Sequence, residues 1–111
     1  MSWRGCRVFP EELDVTVTYP FLSSGSRTDY DASPLALAVH LALTHLKIPF
    51  THLQVTENRI YVYLGLLRRG HDACYYVSDD AWKLVARHRE GRRVKPSVFT
   101  LEAIYIRKEQ Q

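Results

Sequence analysis

THLQVTENRIYVY, residues 51–63, alternates apolar and polar side chains on both sides of a short polar centre. Thr51, Leu53 and Val55 recur with a period of two, and so do Ile60, Val62 and Leu64 beyond the centre. That period marks strands with one buried face. A two-residue turn at Glu57-Asn58 sets Val55 opposite Ile60 and Leu53 opposite Val62, so both apolar sets fall on one face of a hairpin. Asn58 suits the left-handed backbone that such turns usually need. The same register sets Gln54 opposite Tyr61 and His52 opposite Tyr63 on the other face.

The flanking sequence supplies the other elements. Before the hairpin, Leu13, Val15, Val17 and Tyr19 alternate with Asp14, Thr16 and Thr18, which predicts a strand over 13–19. Ser23 to Asp31 is polar and rich in Gly and Ser, and reads as a loop. Ser33-Pro34 starts a helix, because serine caps free amides and proline at the first position loses nothing. This helix runs to about Lys47, where Pro49 blocks continuation. His40, Thr44 and Lys47 form its thin wet stripe. Leu35, Ala38, Val39, Leu41, Ala42 and Leu46 form its core side.

After the hairpin, Ala73 to Val77 reads as a third strand, reached through the Arg68-Arg69-Gly70-His71 loop. Ser78 caps a second helix with Asp79 and Asp80 at its positive end and Arg87 and Arg89 at its negative end. Trp82, Leu84 and Val85 form its buried arc, and Gly91 stops it. Pro96 leads into a last strand in which Phe99, Leu101, Ala103 and Tyr105 share a face. The predicted order is strand, helix, strand, strand, strand, helix, strand over a single domain, residues 1–111. This is a two-layer α+β fold, with a mainly antiparallel sheet of five strands and two helices on one face.

Composition agrees with an ordinary globular domain: 111 residues, 46% hydrophobic and 24% charged. Two cysteines, Cys6 and Cys74, exclude a disulfide-dense scaffold and a four-cysteine zinc site. The most apolar stretch, Pro34 to Leu43, is interrupted by His40 and is too short to span a membrane. The first residues lack a charged region followed by an apolar core and a cleavage site, so the expected compartment is the cytoplasm.

The sequence has no glycine-rich phosphate loop, H-E-x-x-H, paired C-x-x-C or G-x-S-x-G. A non-enzymatic protein without cofactor or metal is the expectation. His40 and His45 are five residues apart and point to different sides of their helix, so they make no helical ligand pair. His45 and His88 fall on the apolar sides of the two helices, where each should be partly buried and satisfied by a backbone or side-chain partner. Cys74 reads as a small packed residue. A small enzyme built around His45, His88 or Cys74 is the least favoured alternative.

The face of the sheet turned from the helices carries more information. It holds His52, Gln54, Arg59, Tyr61 and Tyr63, with Tyr76 if Tyr75 and Val77 point inward. Tyrosine and arginine are enriched at protein interfaces, so a protein–protein or homodimer surface is one reading. A stacking platform for single-stranded nucleic acid or a nucleotide is another. In a third, tyrosines simply suit strands and an N-terminal segment with Trp3 and Phe9 covers them.

Charge is unevenly placed. The net +3 arises in residues 56–111, with eleven basic against seven acidic groups. Lys83, Arg87, Arg89, Arg92, Arg93 and Lys95 form a run broken only by Glu90. Lys83 and Arg87 can pair with neighbouring carboxylates on the helix. Arg92, Arg93 and Lys95 lie beyond Gly91, where such pairing is not expected, and can meet phosphates or an acidic protein face.

Tyr30 to Ala103 contains, in order, DYDASPLALAV, VTENRIYV, VSDDAWKLV and GRRVKPSVFTL. This series resembles small uncharacterised proteins encoded by bacteriophages and prophages. In these a helix begins Cys-Pro-x-Ala, here Ser33-Pro34-Leu35-Ala36, and a late strand reads Pro-x-x-Phe-x-Leu, here Pro96 to Leu101. Serine stands in this chain where those proteins have cysteine. The resemblance implies the fold and a mobile-element setting, and supplies no catalytic residue. The expectation is a phage-type accessory protein in the host cytoplasm that binds a host protein or nucleoprotein complex, with inhibition of a defence system as its effect. Its expected contact residues are Arg59, Tyr61, Tyr63, Tyr76, Arg92, Arg93 and Lys95.

Overall fold

The computed structural model describes residues 9–65 and 70–107. Trp3, Cys6, Arg68 and Arg69, singled out above, lie outside these residues. The order is β1 (Glu12–Val17), α1 (Tyr19–Ser24), a 3-10 turn (Tyr30–Ala32), α2 (Pro34–His45), β2 (His52–Val55), β3 (Arg59–Tyr63), β4 (Ala73–Tyr76), α3 (Asp79–Arg89) and β5 (Ser97–Ile106). The fold is α+β. Its five strands form one antiparallel sheet in the order β1-β5-β4-β3-β2.

The core lies on one face of the sheet. Leu13, Val15, Val17, Leu53, Val55, Ile60, Val62, Tyr75 and Leu101 point inward to Leu35, Val39 and Leu43 of α2 and Ala81, Leu84 and Val85 of α3. The hairpin register is the predicted one, with Val55 opposite Ile60, Leu53 opposite Val62, Gln54 opposite Tyr61 and His52 opposite Tyr63. Its turn is different. Asn58 keeps a negative φ, because among the described non-glycine residues only Lys47 has a positive one. The Asn58 carbonyl instead accepts from the Val77 N–H at 2.9 Å, which ties the turn to the end of β4.

Both long helices start as predicted. The Ser33 hydroxyl accepts from the Ala36 N–H and that of Ser78 from the Ala81 N–H, each at 3.3 Å. Gly91 ends α3 at φ +77, with its N–H on the His88 carbonyl and the Arg92 N–H on that of Arg87. This pair of bonds is the Schellman arrangement. Helix α2 ends the same way, with the N–H of Lys47 on Thr44 and that of Ile48 on Leu43. Here the left-handed position is held by Lys47 at φ 62. A β-carbon there costs about 1–2 kcal/mol, of which glycine returns part as unfolded-state entropy. Lys47→Gly is therefore expected to raise the unfolding free energy by a few tenths to about 1 kcal/mol, measured by thermal melting.

Several expectations are corrected. The first strand stops at Val17, and Tyr19 begins α1, because Pro20 fixes a helical φ in its first turn. Leu41, His45 and Leu46 are exposed, whereas Ala36 and Leu43 are buried. Helix α2 is apolar almost all round, so periodicity alone does not reveal which side the sheet covers. On α3, Trp82 is half-buried, while Ala81 and His88 join Leu84 and Val85 inside. Phe9 packs into the core and does not cover the tyrosines.

Two anchors fix the loops. The Asp31 carboxylate accepts from the Val55 N–H at 2.6 Å, covering part of the β2 edge with the 3-10 turn. Asp72 is buried before β4. Its Oδ2 accepts from the Leu64 N–H at 2.8 Å and its Oδ1 from Arg107 Nε at 3.0 Å. Its N–H reaches the Val62 carbonyl, and its carbonyl accepts from the Arg107 N–H. One carboxylate thus joins the end of β3, the start of β4 and the end of β5.

Candidate functional site: an aromatic sheet face and a basic groove

Strand alternation turns Arg59, Tyr61 and Tyr63 away from the helices, as expected, and all three are half-buried. Tyr75 and Val77 are fully buried, which sends Tyr76 outward at 40% exposure. The rings are ordered by one another. His52 stacks on Tyr63 with centroids 4.3 Å apart and planes 6° from parallel. The Tyr63 hydroxyl donates to Gln54 Oε1 at 2.9 Å. The Arg59 guanidinium lies over the Tyr76 ring, 5.9 Å from its centroid.

Two residues join this face that the sequence reading did not place there. His71 lies between Tyr61 and Tyr105, with centroid separations of 4.8 and 5.2 Å. Tyr105 was expected to share the core face with Phe99, Leu101 and Ala103. A bulge prevents this: Tyr75 pairs with Ala103 but Cys74 pairs with Tyr105, which leaves Ile104 as an extra residue in β5. The extra residue inverts the faces beyond it. Tyr105 comes out opposite Cys74, on the far side of that residue from Tyr61, and Ile106 turns in. The sequence signal was the Ile104-Tyr105-Ile106 run, which breaks the apolar–polar alternation.

The three residues of the enzymatic alternative do not meet. Cys74 is on the aromatic face, buried beneath its neighbours; burial pushes its thiol up and Arg59 partly offsets this. His88 is on the helix side, where its Nε2–H donates to the Leu22 carbonyl at 2.9 Å, and His45 is exposed. His88 Nδ1 has no partner among the described residues. No group of three His, Cys, Asp or Glu among the described residues could hold a metal ion, and no described helix is long and apolar enough to cross a membrane.

The basic run divides. Arg92 pairs with Glu90 at 3.1 Å, both side chains well exposed. Arg93 and Lys95 instead line a groove of about 640 Å³ between α3 and the start of β5. Lys83 and Arg87 line it from the helix, at the spacing that puts them on one face with Asp80 and Leu84. Leu84, Val94, Val98 and Phe99 give the groove an apolar component. None of its four cations forms an ion pair among the described residues, so the pairing of Lys83 and Arg87 along the helix does not occur.

No protein-family model, curated protein or solved structure matches this chain.

Proposed function

We propose that this chain is a non-enzymatic binding protein whose aromatic sheet face seats on a host protein or nucleoprotein complex and blocks it sterically. The setting is that of a phage-type accessory protein acting in the host cytoplasm, and a defence system is the class of target. The observation that carries the binding reading is the preordered aromatic face. Tyr61, Tyr63, Tyr76 and Tyr105 lie on one side of the sheet, and no described helix packs there. Rings already held by neighbours lose little entropy on binding, which favours affinity.

The ring geometry favours a protein target over single-stranded nucleic acid. His52 occupies one face of Tyr63, and His71 fills the space between Tyr61 and Tyr105, so fewer ring faces remain for bases.

Tyr61→Ala with Tyr63→Ala is expected to cost at least about 2 kcal/mol of binding, about a thirtyfold loss of affinity, while the fold persists. The measurement is recovery of host proteins by the tagged wild type and double variant, followed by titration of the purified partner. Partner binding unchanged in the double variant overturns the face assignment. Anisotropy with a labelled single-stranded oligonucleotide at low salt is the companion assay. Micromolar binding that weakens steeply with salt would transfer the face to nucleic acid.

A further inference from the structure

We propose that the groove between α3 and the start of β5 accepts an extended acidic segment of a partner protein, which adds to β5 as a further strand. This inference concerns a second surface and does not rest on the aromatic face.

The backbone supplies the first observation. Strand β5 pairs with β4 only through residues 102–106, while β1 covers residues 97–102 on its other side. From Ser97 to Leu101, β5 therefore has a strand on one side alone among the described residues. The Ala103 N–H donates to the Glu11 carbonyl, toward β1. Antiparallel alternation then turns the backbone groups of Leu101, Phe99 and Ser97 toward β1 as well. Those of Val98 and Thr100 face the side without a strand. An incoming segment meets two N–H and two C=O groups already in extended geometry, the basis of strand addition.

Charge and shape supply the second. The groove presents Lys83 and Arg87 from α3 and Arg93 and Lys95 from the connecting segment, against the single carboxylate of Asp80. Val98 is 68% exposed. A strand with alternating side chains can place acidic groups on the cations and aliphatic groups on Val98, Val94 and Leu84. An acidic polypeptide fits both features. A nucleic acid would use the charge and leave the strand edge unpaired.

The test uses the full chain and a labelled peptide of alternating Glu and Val residues, with fluorescence anisotropy at low and physiological salt. Three companions isolate the causes: the peptide N-methylated on alternate amides, a Lys–Val counterpart and a single-stranded oligonucleotide. Saturable binding of the Glu–Val peptide is expected, weakened at least about tenfold by Arg93→Glu with Lys95→Glu and by N-methylation. Arg92→Glu, outside the groove, and Tyr61→Ala with Tyr63→Ala, on the other surface, should leave it unchanged. Val98→Pro removes an N–H that faces the open side, so it should abolish binding with the fold retained. If that variant fails to fold, the N-methylated peptide carries the same information. The proposal is overturned if the Glu–Val peptide does not bind, if N-methylation has no effect, or if the oligonucleotide binds more tightly.

Discussion

Asp72→Ala is expected to lower the unfolding free energy by about 2–4 kcal/mol, because it removes a buried acceptor, leaves a backbone N–H unsatisfied and breaks a charge-assisted bond to the part-exposed Arg107. Three elements depend on this carboxylate. Its loss strands the Leu64 N–H, just beyond β3, and removes the carboxylate that Arg107 Nε reaches from the end of β5. Arg107 also donates to the His71 carbonyl, so the histidine between Tyr61 and Tyr105 is then tethered by an arginine that has lost its carboxylate anchor. Asp72→Asn keeps an oxygen for Leu64 and forfeits the charge, and should fall between the two. Urea denaturation at neutral pH measures the series. A loss below about 1 kcal/mol for the alanine variant would show that the clamp does not carry the fold.

Tyr75→Ala is expected to be about as damaging, at about 3–5 kcal/mol, because it empties the centre of the core. Tyr75 is fully buried, and its hydroxyl donates to the Pro10 carbonyl at 2.6 Å. Tyr75→Phe removes the hydroxyl alone and should cost about 1–2 kcal/mol. The same hydroxyl creates an alkaline limit. Burial raises the phenol above its ordinary value of 10.0. Above pH 10 the unfolded chain therefore releases a proton that the folded chain retains. The stability contributed by this group is intact below that pH. It falls by about 1.4 kcal/mol per pH unit as pH rises through the window between the unfolded and folded values. Denaturation curves of wild type and Tyr75→Phe at several alkaline pH values isolate this slope from other titrating groups. Parallel curves would refute it.

The elements governed by local rules were readable from the sequence. The hairpin register followed from two apolar sets and a turn of fixed length. The starts of α2 and α3 followed from Ser33 and Ser78, and the end of α3 from Gly91. What escaped depends on distant partners. Asp72 sits in a Gly-His-Asp run that reads as a polar turn, and only the approach of Arg107 makes it a buried anchor. The side of α2 that meets water is set by the sheet, so Leu41 and Leu46 were misplaced. The basic run was visible as charge. Its division into a paired Arg92 and a groove shared by Arg93, Lys95, Lys83 and Arg87 requires α3 to lie along β5. The aromatic face was half visible, since Arg59, Tyr61, Tyr63 and Tyr76 follow from alternation and His71 and Tyr105 do not.

Ile104 makes the C-terminal part of β5 tolerant of a one-residue deletion in a way that the rest of the sheet is not. A single-codon deletion at this position would remove the bulge and leave Tyr105 opposite Cys74 and Ile106 opposite Ala73, so the phenol stays on the surface and the aliphatic chain stays inside. A lineage could thus gain or shed the extra residue by one indel and keep both this part of its contact surface and the register of every other strand.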